Sequence, residues 1–117
     1  MGFQRVDADS IRIQEARFMS VLLKEKGIDF SMRIGELVRY LRENAGGFPL
    51  CDRLLFCGVN AGRYIRGGKK SEAAELVEEA DYIIEIAVVA GYLTSRQDVH
   101  IRADCENLLK MLNENQS

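Results

Sequence analysis

Residues 71–93 constrain the fold more than any other stretch. They open as an acidic amphipathic turn, Ser71-Glu72-Ala73-Ala74-Glu75-Leu76-Val77-Glu78-Glu79. They then run almost unbroken through apolar residues, Tyr82-Ile83-Ile84-Glu85-Ile86-Ala87-Val88-Val89-Ala90. A helix that is apolar nearly all round has no face to turn to water, so both its sides need cover. In a chain of 117 residues that cover is the rest of a helical bundle or a second copy of the protein. Ile83, Ile84, Ala87 and Val88 are expected at that packing, within the subunit or between subunits. Glu85 is a lone charge in the run, costly if buried unpaired, and is expected to reach a cation across a subunit boundary.

Helical spacing continues on both sides of this segment. Ile11, Phe18, Val21 and Leu22 predict a helix from Ile11 to Lys26, with Ser10 as its N-cap and Gly27 as its end. Asp29 is placed to cap the next helix, where Phe30, Ile34, Leu37, Val38 and Leu41 recur at helical spacing up to a stop at Gly46-Gly47. Pro49 suits the first residue of a further helix, with Leu50, Leu54, Leu55 and Val59 as its apolar stripe. Within that helix Gly58 and Gly62 each cost about 1 kcal/mol relative to alanine. Gly58, Ala61 and Gly62 fall on one strip, which predicts close approach of another backbone. Gly67-Gly68 ends the helix, and Ser71 is expected to cap the next. There Ala73, Ala80 and Ala87 repeat every seven residues, as do Leu76, Ile83 and Ala90, a pattern suited to shallow-angle bundle packing. Thr94-Ser95-Arg96-Gln97 is a capping box opening a last helix that runs to about Asn113.

The expected fold is therefore all-α: an up-down-up-down four-helix bundle over residues 21–115 with an extra, partly helical N-terminal piece over residues 1–20. Residues 1–10 carry no pattern and are expected to be loose. The formal net charge of −2 argues against a general nucleic-acid binder, which carries a clear basic excess. Cys51, Cys57 and Cys105 form no CxxC pair, and one histidine leaves too few ligands for zinc, so buried reduced thiols in a cytoplasmic protein are expected. The N-terminus lacks the apolar core of a signal peptide, and Met1-Gly2 is followed by Val6 where a myristoylation signal has Ser or Thr. No apolar run reaches the ~20 residues needed to span a bilayer, so no membrane partner is expected. No metal or other cofactor is called for.

Three stretches carry a family resemblance. Leu22-Leu23-Lys24-Glu25-Lys26, Phe30-Ser31-Met32-Arg33-Ile34 and Tyr40-Leu41 form the first. Leu54-Leu55 with Gly58 and Gly62 form the second. The third is Ala90-Gly91-Tyr92-Leu93-Thr94, followed by residues 103–112, and it is the most specific. Together they resemble the four-helix-bundle family of proteins encoded in 23S rRNA intervening sequences, which includes the accessory protein of diversity-generating retroelements. The resemblance covers roughly residues 21–112. It departs from the family's Ile-Gly-Ala-Asn-Ile-Ala-Glu run, where this chain reads Ala61-Gly62-Arg63-Tyr64-Ile65-Arg66-Gly67. Gly62 and Ile65 match, but Tyr64 and Gly67 replace the Asn and Glu. What the resemblance implies is a bundle assembled into a ring, a homopentamer, without enzymatic activity. It also implies contact with RNA, DNA or a reverse transcriptase.

Arg63, Arg66, Lys69 and Lys70 cluster at the end of the second bundle helix, with Arg53 upstream, and could contact phosphate around an oligomer. A competing account is that cations favour a helix C-terminus, and that Lys69 and Lys70 pair with Glu72 and Glu75. Glu75, Glu78, Glu79 and Asp81 faintly resemble the acidic helix of Mg²⁺-dependent all-α nucleotide pyrophosphohydrolases. The helix expected from Asp29 to Asn44 supplies only Glu36 and Glu43, too widely spaced to complete such a site. His100 lacks the Lys and Gly neighbours of a phosphotransfer histidine. A non-enzymatic self-assembling scaffold or binding module is the reading favoured by the sequence.

Overall fold

Leu23, Gly27, Phe30, Ile34, Val38 and Leu41 recur every three or four residues, and all are buried. One stripe of that period belongs to one helix. In the computed structural model, which describes residues 8–114, this is α1 (Ala8–Asn44), followed by α2 (Cys51–Arg66), α3 (Lys70–Val89) and α4 (Ser95–Glu114). The described residues contain no strand. The expected break at Gly27, with a second helix capped by Asp29, is corrected. Gly27 lies inside α1 because the side chain of Ile65 fills the space beside it, 3.2 Å from where a Cβ would stand. The separate N-terminal helix is thus the first half of α1, and Ser10 lies within it rather than capping it. The expected looseness of residues 8–10 is likewise overturned, since the helix begins at Ala8. The rest of that expectation, residues 1–7 with the Met1-Gly2 opening, lies outside the described residues, as does residue 115.

The helices pack in chain order, α1 on α2, α2 on α3 and α3 on α4, with α4 closing on α1. Short connections between successive helices make the neighbours antiparallel, the up-down-up-down arrangement expected. At 1.5 Å per residue, the 37 residues of α1 span about 55 Å, against roughly 30 Å for α3 or α4. Its N-terminal part consequently runs past the bundle, and the described chain measures 70 × 24 × 20 Å. Ile11, Ile13 and Phe18 on this projection are exposed.

The turns follow from their glycines. Gly68 and Gly91 have φ of 75° and 87°, a left-handed conformation glycine adopts at little cost. After each, the next amide reaches back to the helix. Lys69 N donates to the Tyr64 carbonyl and Tyr92 N to the Ala87 carbonyl, each at 2.8 Å, closing two Schellman motifs. The capping box before α4 is present: Thr94 N donates to Gln97 Oε1 at 2.8 Å and Gln97 N to Thr94 Oγ1 at 3.2 Å. At α3, by contrast, Lys69 occupies the N-cap position and not Ser71, and no side chain caps the helix there. Pro49 precedes the Leu50 N-cap of α2 instead of starting the helix.

The glycine strip on α2 lies against α1, as its spacing predicts. A Cβ on Gly58 would sit 2.6 Å from Ile34 Cβ and Cγ2, and one on Gly62 would clash with Ser31 Oγ. Ser31 Oγ donates to the Gly58 carbonyl at 2.7 Å. Gly35, in the same stretch of α1, has nothing within 4 Å of its missing Cβ. Two alanine substitutions therefore act in opposite directions. Gly58→Ala overpacks the α1–α2 contact and costs roughly 1–3 kcal/mol, whereas Gly35→Ala gains about 0.5–1 kcal/mol. Urea unfolding of the two variants beside the parent checks both signs.

Candidate functional site

An arginine–carboxylate pair crosses every seam of the bundle. Arg42 Nη2 meets Asp52 Oδ1 at 2.6 Å between α1 and α2. Arg53 grips Glu79 between α2 and α3, with Nη2 to Oε1 at 2.7 Å. Arg102 Nε meets Asp81 Oδ1 at 3.1 Å between α4 and α3. Arg33 pairs with Asp104 between α1 and α4. These pairs are exposed and screened by water, so each contributes little to stability.

This arrangement redistributes the expected sites. Arg53 turns toward α3, and its guanidinium also stacks 4.6 Å above the Phe56 ring. It stands ten residues, about 15 Å along the helix, from Arg63. Arg63 and Arg66 are exposed on the opposite flank of α2, beside α1, where they line a groove with Lys24, Ile28, Met32 and Val59. Arg63 Nη1 donates to Asn60 Oδ1 at 2.8 Å. Lys69 sits over the Tyr64 ring at 5.9 Å, and Lys70 opens α3. Four of the five proposed cations thus share one end of the bundle, and Arg53 does not.

The acidic run is divided in the same way. Glu79 and Asp81 are held by arginines on α2 and α4, whereas Glu75 and Glu78 face solvent. Among the described residues no three His, Cys, Asp or Glu side chains come close enough to hold a metal ion. A cleft of about 590 Å³ opens between the projecting part of α1 and the α2–α3 turn. Its lining is mixed, with Met19, Leu23 and Ile65 beside Ser20, Lys24, Arg66, Lys70 and Glu114. His100 is exposed on α4.

The three thiols are free and buried. Burial pushes Cys57 up to about 12, with the Glu79 carboxylate, which accepts from its Sγ at 3.3 Å, adding to the effect. Burial likewise raises Cys105 to about 12 and shifts Cys51 upward. Thiols so protonated are poor nucleophiles.

Ile83, Ile84 and Ala87, with Gly58 and Ala61, are buried inside the subunit, while Gly62 and Val88 are half-buried. The outer side of α3 carries different residues: Tyr82 is 58% exposed and Val89 83%. With Glu85, Ile86 and Ala90 they form a shallow apolar surface. Glu85 is exposed there, on the outer side of the subunit. On the α1–α2 flank Ile28 and Met32 are each 60% exposed and Val59 is also open, while Phe56 is exposed beneath Arg53. Sequence reading missed this second surface. Its signal is the spacing Ile28-Met32 on α1 with Val59 on α2.

A solved crystal structure shares this fold, with a TM-score of 0.78: a protein of unknown function from the S23 ribosomal protein family, from Bacteroides thetaiotaomicron VPI-5482. The two chains are 24% identical, over 83% of this chain and 93% of that one. No protein-family model matches the chain, and no curated protein is similar to it in sequence. No described helix is long and apolar enough to cross a membrane.

Two outcomes follow from the Arg53–Glu79–Cys57 contact. The Arg53 hydrogen bonds hold the Glu79 carboxyl below its ordinary value of 4.5. A depressed folded-state pKa stabilises the fold above the unfolded value, and that stabilisation is lost as pH falls through the folded one. Glu79→Gln should lower the urea midpoint at neutral pH and lose less stability than the parent on acidification below about 4.5. Thiol titration at mildly alkaline pH should leave the cysteines of the native protein slow to react and find all three after denaturation.

Proposed function

We propose that the protein is a non-enzymatic, self-assembling scaffold of the cytoplasm, a ring of bundles that presents repeated surfaces to a partner. The observation that carries this reading is the apolar surface left uncovered on α3, where Tyr82 and Val89 are more than half exposed. Contiguous apolar patches on a small subunit mark contact sites. The resemblance to proteins of 23S rRNA intervening sequences supports a homopentamer, and the shared fold with an S23-family protein is consistent with it.

The favoured partner is RNA, DNA or a nucleic-acid enzyme such as a reverse transcriptase. Its support is the clustering of Arg63, Arg66, Lys69 and Lys70 at one bundle end, which a ring would repeat and so strengthen by avidity. Magnesium-dependent nucleotide hydrolysis has less support, because Glu79 and Asp81 are already engaged by arginines.

Light scattering coupled to size exclusion should give a mass several times 13.2 kDa. A 13 kDa particle would overturn the scaffold reading. In a gel shift with RNA and DNA, retention should fall steeply as salt rises, since phosphate contacts release counterions. Absent or salt-independent binding would remove the nucleic-acid partner and leave the assembly standing.

A further inference from the structure

The outer face of α1 bears a second apolar stripe, opposite the one that enters the core. Ile11, Phe18, Val21, Ile28 and Met32 are all exposed, Phe18 at 66%. Ile11, Phe18, Glu25 and Met32 recur every seven residues, and Gln14, Val21 and Ile28 form the row beside them. These are the a and d positions of a heptad seam. The buried Leu23 and Phe30 fall at f, on the far side of the helix. The seam begins on the part of α1 that projects past the bundle and continues down its outer side. We propose that it pairs with the same seam of a second copy, the two α1 helices running antiparallel over residues 11–28. This goes beyond the ring described above. In a ring whose helices run along its axis, all projections leave from one end, so the contact would join two rings face to face.

The polar residues of the seam select both the occupant and the register. When Ile11 faces Ile28 of the other copy, Phe18 faces Val21 and Gln14 faces Glu25. The four apolar residues of the overlap then meet one another. The Gln14 amide donates to the Glu25 carboxylate, so the one charge in the seam has a partner. Sliding by one heptad sets Gln14 against Phe18 or against Met32. A parallel pair sets Glu25 against Glu25. The match belongs to this chain paired with its own copy, which argues for a second copy over an unrelated helix. The overlap runs for about 27 Å at 1.5 Å per residue. α2 packs on the side of α1 that bears Gly27, Ser31 and Ile34, and α4 on the side of Arg33, so both leave the seam open. Each projection lies beside the other copy's bundle, and the two bundles stand end to end. Neither Arg63 nor Arg66 takes part. On one rim Arg17 faces Lys24; both are exposed, so their repulsion is weak in salted water.

Disulfide cross-linking tests the register, and mass by light scattering tests the contact. Gln14→Cys with Glu25→Cys in one chain should give a covalent dimer on mild oxidation. Neither single variant should do so alone, and the two mixed should. The native thiols are buried and stay silent under these conditions. Phe18→Gln with Val21→Gln should halve the mass of the parent particle. Both residues are exposed, so helix content by circular dichroism should not change. A halved mass still several times 13.2 kDa supports contact and ring together. A fall from dimer to monomer keeps the contact and removes the ring. An assembled parent indifferent to Phe18→Gln with Val21→Gln would overturn the contact and leave the ring standing. Single variants that link to themselves, or a double cysteine variant that does not link, would also overturn the contact. A parent of 13 kDa would overturn both.

Discussion

The close approach of α1 to α2 over Gly58 and Gly62 fixes the geometry of the rest. Two glycines in one 16-residue helix are unfavourable by about 1 kcal/mol each. They persist where a side chain would exclude something larger. Here they admit Ile34, which is fully buried, and Ser31, whose hydroxyl bonds the Gly58 carbonyl at 2.7 Å. The far side of the bundle keeps α3 close by the same means in milder form, with Ala73, Ala80 and Ala87 facing inward and fully buried. Bringing α1 and α2 together also sets Ile28 and Met32 beside Val59 at the surface. The outer groove is a by-product of the inner contact.

Charge then selects among the packings that apolar matching alone would allow. One arginine–carboxylate pair spans each seam, and a slip of one turn, about 5.4 Å, would separate any of them. Their individual contributions are small, so their effect is on register more than on total stability. Glu79 shows the coupling: it accepts from Arg53 and Cys57 together, joining a surface pair to a thiol in the core.

The elements with strong local signals were legible in the sequence. The Thr94–Gln97 box, the glycine stops and the glycine strip on α2 each have one physical meaning at their positions. Gly27 did not, because Lys26-Gly27 reads equally as a helix end, and only the side chain of Ile65, 38 residues on, decides otherwise. The stripe Leu23-Gly27-Phe30-Ile34 does cross the break without a change of phase, which is the cue that was available. The basic cluster was legible as composition but not as partnership. Arg53 and Arg63 look alike in sequence, and they separate only when α2 turns one toward Glu79 and the other toward α1. The apolar run of residues 82–90 shows in sequence that both sides need cover, but not which residues face which way. The fold divides it, with Ile83, Ile84 and Ala87 inside and Tyr82, Ile86 and Val89 toward the outside.

That division bears on why a subunit with a net charge of only −2 would associate in one way. Low net charge provides little long-range repulsion between copies, so sorting of charge within the surface decides which faces meet. The acidic residues of α3 and the cations beside α1 lie on separate flanks, and each flank repels its own kind. A two-fold contact through either flank, which pairs a patch with itself, would oppose like charges. Contact between unlike flanks would avoid this. Pairs at a solvated rim steer and align at small cost, while the area removed from water between them supplies the attraction.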